Sequence, residues 1–162
     1  AERVLAAVDP VGAAQREAIA AGILGWAEQI GSWANAELHV GTAWNAAGAE
    51  LLRQNLDEDE WKTYVEEAHR TTADALTHLR DRHAPALANE ALHLVEGVAH
   101  EALPELARAH GIDLIIMGTR GNDGAVGDHL GETAETMIRE VHCSVLTIPP
   151  GVSPEAVLAS EG

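Results

Sequence analysis

Several residue types are rare or missing in this chain, and each absence narrows the class of protein. Phenylalanine is absent, Lys62 is the only lysine, and Cys143, the single cysteine, has no partner for an internal disulfide. No apolar run approaches the roughly 20 residues that span a bilayer, and the first residues carry neither a basic segment nor an apolar signal region. We therefore expect a protein of the reducing cytoplasm that makes no contact with membranes.

Positive charge is also scarce. The chain has 26 acidic against 10 basic residues, which gives a formal net charge of −16. Such a surface repels phosphate backbones, so we expect no nucleic-acid partner. The acidity has three explanations: solubility in salty surroundings, an arginine-favouring genome, or a specific cationic partner. We favour solubility, because net charge more commonly reports on solubility than on a particular partner.

The length of the chain suits one domain. At 162 residues and 17.1 kDa it can bury its own core. We place the domain at residues 1–150, because Pro149 and Pro150 lack the N–H group that continues a strand ladder. Residues 151–162 are expected to form a flexible C-terminal tail. The start at Ala1 fits either removal of an initiator methionine or excision from a longer protein.

Apolar runs alternate with helical patterns along the chain. The runs predict strands at 4–8, 38–44, 92–95, 114–117 and 145–148, and the patterns predict helices at 15–29, 57–82, 100–110 and 133–141. The segment 45–56 is expected to be a mobile loop. Short strands separated by helices indicate an α/β fold with a parallel sheet covered on both faces. Right-handed crossovers make it open, doubly wound and Rossmann-like, with a ligand crevice at the carboxyl ends of its strands.

A glycine-rich loop follows the fourth predicted strand. Gly118, Gly121 and Gly131 allow backbone N–H groups to approach an anion without an intervening side chain. Gly131 also lies where the next helix begins, so the positive end of that helix dipole points at the same place. The loop matches neither the P-loop nor the G-x-G-x-x-G fingerprint. It nevertheless predicts a phosphate-type site between a strand and a helix.

The spacing of these glycines is informative. Gly118, two residues, Gly121, nine residues and Gly131 resemble the nucleotide loop of the universal stress protein family, G-x2-G-x9-G-[ST]. The flanking segments DLIIMGTRG and GETAETMIREVHCSVLTIPP, and the opening VLAAVDP, are also similar to that family, so the resemblance covers nearly the whole chain. GETAETMI and CSVLTIPP are most similar to the tandem, E-type members. This implies that the chain is one of two such domains, the second.

The resemblance implies a fold and a binding site. The fold is an adenine nucleotide alpha hydrolase-like sheet with strand order 3-2-1-4-5. Asp9 would face the ribose or adenine, Met117 would line the base, and Val98 would close the base side. The remaining implied nucleotide-binding residues belong to the glycine loop: Gly118, Thr119, Gly121, Gly131, Glu132 and Thr133. ATP or AMP with Mg²⁺ are the candidate cofactors, and none is required.

Glu132 departs from the family pattern. ATP-binding members have Ser or Thr there, and a hydroxyl donates to a phosphate oxygen, whereas a carboxylate repels it. At about 4 Å and an intermediate dielectric the repulsion is on the order of several kcal/mol. A loss of about 3 kcal/mol weakens binding roughly a hundredfold, so tight ATP binding is not expected. Two alternatives stay open: Mg²⁺ bridges Glu132 and the phosphates, or Glu132 stabilises the first turn of its helix.

Other reactive residue types form no recognisable motif. The nine histidines include His39 and His93 on predicted strands, but no H-E-x-x-H or C-x-x-C pattern occurs, so we predict no specific metal site. Cys143 is interpreted as a small buried side chain. Ser144 has no adjacent base and no G-x-S-x-G elbow. We therefore predict no catalytic residues.

The sequence thus predicts a non-catalytic, dimerising stress-response module with a nucleotide-type pocket. An ATP-binding switch with slow or no hydrolysis is the alternative, and an adenylylating or phosphate-transfer enzyme on the same fold is a third possibility. The last strand, Ser144–Ile148, lies at an edge of the predicted sheet, where unpaired backbone groups favour pairing. A homodimer, or contact with a sister domain, through this strand is expected.

Overall fold

The structure, a computed structural model, describes residues 2–11, 14–44, 49–119 and 131–155, without the side chains of 14, 49, 50 and 132. The strands are β1 (Arg3–Ala7), β2 (Glu37–Trp44), β3 (Leu92–Glu96), β4 (Leu114–Gly118) and β5 (Ser144–Ile148). The helices are α1 (Ala14–Ala34), α2 (Ala49–Arg53), α3 (Glu58–His83), α4 (Ala99–Ala109) and α5 (Glu132–Glu140), and a 3₁₀ turn at Asn89–Ala91 precedes β3. None of the described helices is long and apolar enough to cross a membrane.

All five strands are parallel, in the order β3-β2-β1-β4-β5. The predicted fold class and strand order are therefore confirmed. Val4 of β1 is paired with Leu38 of β2 on one side and with Leu114 of β4 on the other, so β1 is central. The direction of winding reverses between β1 and β4, and this is where a doubly wound sheet opens a crevice.

Alternate side chains of each strand enter two separate hydrophobic layers. Val4 and Ile116, both fully buried, face α1 and α3, whereas Leu5 and Ile115 face α4 and α5. This alternation is the period-two geometry of a strand buried on both faces. Each large aliphatic side chain removed from water contributes about 1.5–3 kcal/mol, so the two layers fix the sheet that carries the crevice.

The long helix α3 begins with a run of acidic residues. Asp57 is the N-cap of α3, and its Oδ1 accepts a hydrogen bond of 2.8 Å from the backbone N–H of Glu60. The prediction of a loop over 45–56 is wrong in its second half, because residues Ala49–Arg53 form α2. A five-residue helix is too short to show helical periodicity, which explains the error. Residues 45–48 lie outside the described part of the chain.

The start of the predicted flexible tail is packed against α1. Trp26 Nε1 donates a hydrogen bond of 3.0 Å to the carbonyl oxygen of Val152, and Pro154 is buried beside Gly25. Residues 156–162 lie outside the described residues, so flexibility there stays a prediction. Trp33 of α1 is 70% exposed and takes no part in the core.

Candidate functional site

A crevice opens at the carboxyl ends of β1 and β4, at the point where the winding reverses. It encloses about 340 Å³. Its floor and walls come from the ends of β1, β2 and β4, from the loop after β3 and from α1, α4 and α5. The lining residues are Ala7, Val8, Asp9, Arg16, Ile19, Ala20, Ile23, Ala43, Gly97, Val98, Ala99, Leu103, Met117, Gly118, Thr133 and Ala134.

Three helices begin at this crevice, because each follows a strand that ends there. They are α1, α4 and α5. The N-caps of α4 and α5 are Val98 and Gly131, and neither has a side-chain hydrogen bond to its helix. The first backbone N–H groups of a helix have no partner within that helix, so they are available to a ligand. Three positive dipole ends therefore converge on a crevice that is otherwise mostly apolar.

Asp9 and Arg16 form the charged side of the crevice. Asp9 Oδ1 accepts a hydrogen bond of 3.3 Å from the backbone N–H of Val11, which turns the chain after β1. Asp9 Oδ2 lies 3.5 Å from Arg16 Nη1, and the same nitrogen donates a hydrogen bond of 3.1 Å to the carbonyl oxygen of Val11. A carboxylate oxygen of Asp9 and the carbonyl oxygen of Val11 thus hold Arg16 beside the crevice.

The structure brings five of the predicted site residues together around the crevice. Asp9 and Gly118 follow neighbouring strands, Met117 is 5% exposed on β4, Val98 caps α4, and Thr133 lies in the first turn of α5. Val98 is 43% exposed, so it forms the rim of the crevice rather than its floor.

The other four predicted residues lie on or beside the loop between β4 and α5. The backbone N–H of Gly131 donates a hydrogen bond to the carbonyl oxygen of Thr119. The backbone N–H of Thr119 in turn donates a hydrogen bond of 3.2 Å to the carbonyl oxygen of Ile148. This contact closes the base of the loop. Glu132 is the first residue of α5, and its side chain lies outside the description. Gly121 lies outside the described residues altogether.

Sequence reasoning missed Arg16 and the wall that α1 contributes. Ile19, Ala20 and Ile23 of α1 line the crevice at helical spacing. Arg16 belongs to the first turn of the helix after β1, and that position in a doubly wound fold was the available signal.

The described lining of the crevice contains no histidine, cysteine or serine, and therefore no nucleophile paired with an imidazole base. Cys143 lies elsewhere, partly buried just before β5. Burial raises the pKa of the Cys143 thiol above its ordinary value. The thiol therefore stays protonated at neutral pH, as expected for a packing residue.

Comparison with known proteins identifies the family. The model of the universal stress protein family matches residues 1–149. The chain belongs to the universal stress protein family. Among curated relatives, universal stress protein E homolog of Haemophilus influenzae is 40% identical over 58 residues, which are 36% of this chain and 19% of that protein. Universal stress protein MJ0531 of Methanocaldococcus jannaschii is 40% identical over 55 residues, which are 34% of this chain and 32% of that protein.

Solved structures show the same fold. A functionally unknown protein from Pseudomonas aeruginosa PAO1 superimposes with a TM-score of 0.65 at 24% identity, over 98% of this chain and 50% of that one. A universal stress protein in complex with cAMP has a TM-score of 0.58 at 22% identity, over 93% of this chain and 98% of that one. This chain thus spans half the length of the first structure and nearly all of the second.

Proposed function

We propose that this protein is a non-catalytic stress-response module whose crevice binds a nucleotide with few phosphates, such as AMP or cAMP, in preference to ATP. The observation that carries the proposal is the convergence of an apolar cavity of about 340 Å³ with the starts of three helices at the switch point of the sheet. An apolar wall suits a purine base, and helix N-termini suit a phosphate. The cAMP complex of a relative with the same fold supports a cyclic or single-phosphate ligand.

The charge around the crevice supports a limit on the number of phosphates. Arg16 is the only basic side chain among the described lining residues, and Asp9 already lies 3.5 Å from it. Glu132 begins α5, where a hydroxyl would otherwise assist a phosphate chain. Each further phosphate adds negative charge without a further cation to meet it. Magnesium offers one way around this limit, because it binds carboxylate and phosphate oxygens together.

Calorimetric titration of AMP, cAMP and ATP with Mg²⁺ tests the proposal. Wild-type protein should bind AMP at least about tenfold more tightly than ATP. Glu132→Ser should tighten ATP binding by up to roughly a hundredfold, the equivalent of about 3 kcal/mol. AMP binding should change little. Glu135→Ser removes an exposed acid one turn along α5, outside the crevice lining, and serves as the matched control.

Two results would count against the proposal in different ways. If wild-type protein binds ATP tightly and Glu132→Ser gains nothing, the protein is better described as an ATP-binding switch. Hydrolysis measured on the same samples then decides whether that switch turns over. If no nucleotide binds, the crevice serves another ligand class.

We also propose association through β5. This strand ends the sheet order, so one row of its backbone groups has no partner strand among the described residues. The Pseudomonas aeruginosa structure, about twice as long as this chain, supports a sister domain as the natural partner in a tandem protein. An isolated domain should then dimerise with a second copy. Light scattering should give twice 17.1 kDa, and a monomer at working concentration would contradict this.

A further inference from the structure

Three histidines that are distant in sequence meet at the amino-terminal edge of the sheet, at the end opposite the crevice. His39 is near the start of β2, His93 is near the start of β3, and His110 is the C-cap of α4. One ring nitrogen from each lies within 4.8 Å of the other two. We refer to these residues as the histidine cluster. It shares no residue with the crevice.

We propose that the histidine cluster is a binding site for a divalent transition-metal ion, with Zn²⁺ as the reference ion. Neutral imidazole suits zinc, copper, nickel and iron, and three protein ligands with one open position is a common zinc arrangement. His93 and His110 are only partly buried, so a water molecule can take the fourth position. No sequence motif predicts this site, because His39 and His93 are 54 residues apart.

The distances suit a metal ion after small side-chain rotations. Zinc–nitrogen bonds of about 2.0–2.1 Å in a tetrahedron place ligand nitrogens about 3.3 Å apart. His39 Nδ1 and His93 Nε2 are 2.8 Å apart and share a hydrogen bond. This pair must separate by about half an ångström, and His110 must move closer. The rings are already close together, with centroids 4.3 Å apart for His93 and His110.

Glu37 adds the outer contact that metal-bound histidines usually have. Glu37 Oε1 lies 2.7 Å from His39 Nε2. The approach direction does not meet hydrogen-bond geometry, and this buried nitrogen has no hydrogen-bond partner among the described residues. Glu37 is exposed, so rotation of its carboxylate can complete this hydrogen bond. Metal on Nδ1 would fix the proton on Nε2 and direct it toward this carboxylate.

Arg3 and Glu37, at the starts of β1 and β2, lie beside the histidine cluster. Arg3 Nε lies 4.0 Å from Glu37 Oε2, and Arg3 Nη1 donates a hydrogen bond of 3.5 Å to the carbonyl oxygen of His110, so both contacts pair the guanidinium with oxygen atoms.

Zinc titration of tag-free protein by calorimetry, in a buffer that does not bind metal, tests the site. Wild-type protein should take up one equivalent. His110→Asn, which keeps a residue suited to a helix end, and His93→Gln should each weaken this binding at least about tenfold, since even outer contacts are worth about that much. Glu37→Ala should weaken it by roughly tenfold. His78→Asn, an exposed position on α3, is the matched control and should bind like wild type.

A second readout reports the geometry of the site. Co²⁺ bound in place of Zn²⁺ should give the intense visible absorption of a four-coordinate ion, and His110→Asn should remove it. Circular dichroism without metal should show that all variants are folded. The proposal is overturned if wild type and His110→Asn bind Zn²⁺ equally, or if His78→Asn loses as much as the cluster variants. A weak six-coordinate cobalt spectrum would also contradict it.

Discussion

Gly41 of β2 and Leu106 of α4 lie so close together that a residue larger than glycine at position 41 would collide with Leu106. A β carbon at position 41 would lie 2.6 Å from Leu106 Cδ2 and 3.1 Å from Leu5 Cδ1. The missing side chain lets α4 lie directly on β2. Leu106 and His110 are one helical turn apart, so the same contact brings His110 toward the other two members of the histidine cluster, His39 and His93.

Gly41→Ala should therefore destabilise the fold. The added methyl group must displace Leu106 in a packed layer, and overpacking of this kind costs about 1–3 kcal/mol. Chemical denaturation should show a lower midpoint with an unchanged slope. Gly22→Ala is the control, because Gly22 lies on α1 and its β carbon would meet nothing closer than 3.6 Å. That change should be neutral or stabilising by up to about 1 kcal/mol. Equal losses in both variants would refute the close-packing explanation.

Asp113 connects β4 to the start of the chain, and its contribution should depend on pH. Its Oδ2 accepts hydrogen bonds from the backbone N–H groups of Arg3, at 2.9 Å, and Glu2, at 2.8 Å. These hydrogen bonds hold the pKa of Asp113 below its ordinary value of 3.8, and the bond from Arg3 has the larger effect. A depressed pKa contributes stability above the unfolded-state value, and this stability is lost as pH falls through the folded-state value.

Asp113→Asn should accordingly lower the melting temperature at pH 7. The difference from wild type should shrink as the pH falls below about 3.8. Thermal unfolding followed by circular dichroism at several pH values measures it. A difference that stays constant across this range would show that the charge of Asp113 contributes nothing.

The sheet could be predicted from the sequence because its determinants are local. Apolar runs alternate with helical patterns, and parallel strands joined by right-handed crossovers leave few topologies. The strand order came from the family resemblance rather than from the runs themselves. The short α2 escaped prediction because five residues show no period.

The site was predictable in outline and not in its charges. Strand ends and glycines indicated Asp9, Met117 and Gly118, which line one crevice. Arg16 was missed because its position against Asp9 depends on the turn at Val11. The histidine cluster was missed because its members approach only when β2, β3 and α4 are packed together. Long-range contacts of this kind leave no spacing in the sequence.

Arg16 should contribute to phosphate binding rather than to base binding. Arg16→Gln should weaken AMP binding by about tenfold, equivalent to about 1.4 kcal/mol. The same change should leave adenosine binding nearly unchanged. Arg82→Gln is the control, because Arg82 pairs with Glu17 at 2.8 Å and does not line the crevice. Competition titrations with both ligands measure the effect. Equal weakening of AMP and adenosine would assign Arg16 to shaping the crevice instead.

The two methionines allow a direct test of where a nucleotide binds. Met117 and Met137 are the only methionines in the chain. Met117 lines the crevice, whereas Met137 is fully buried in α5 and is not part of the lining. With ¹³C-labelled methionine methyl groups, NMR spectra should show two signals. Saturating AMP should shift the Met117 signal and leave that of Met137 nearly in place. A Met117 signal that does not move while calorimetry shows AMP binding would contradict the assignment of the crevice as the nucleotide site.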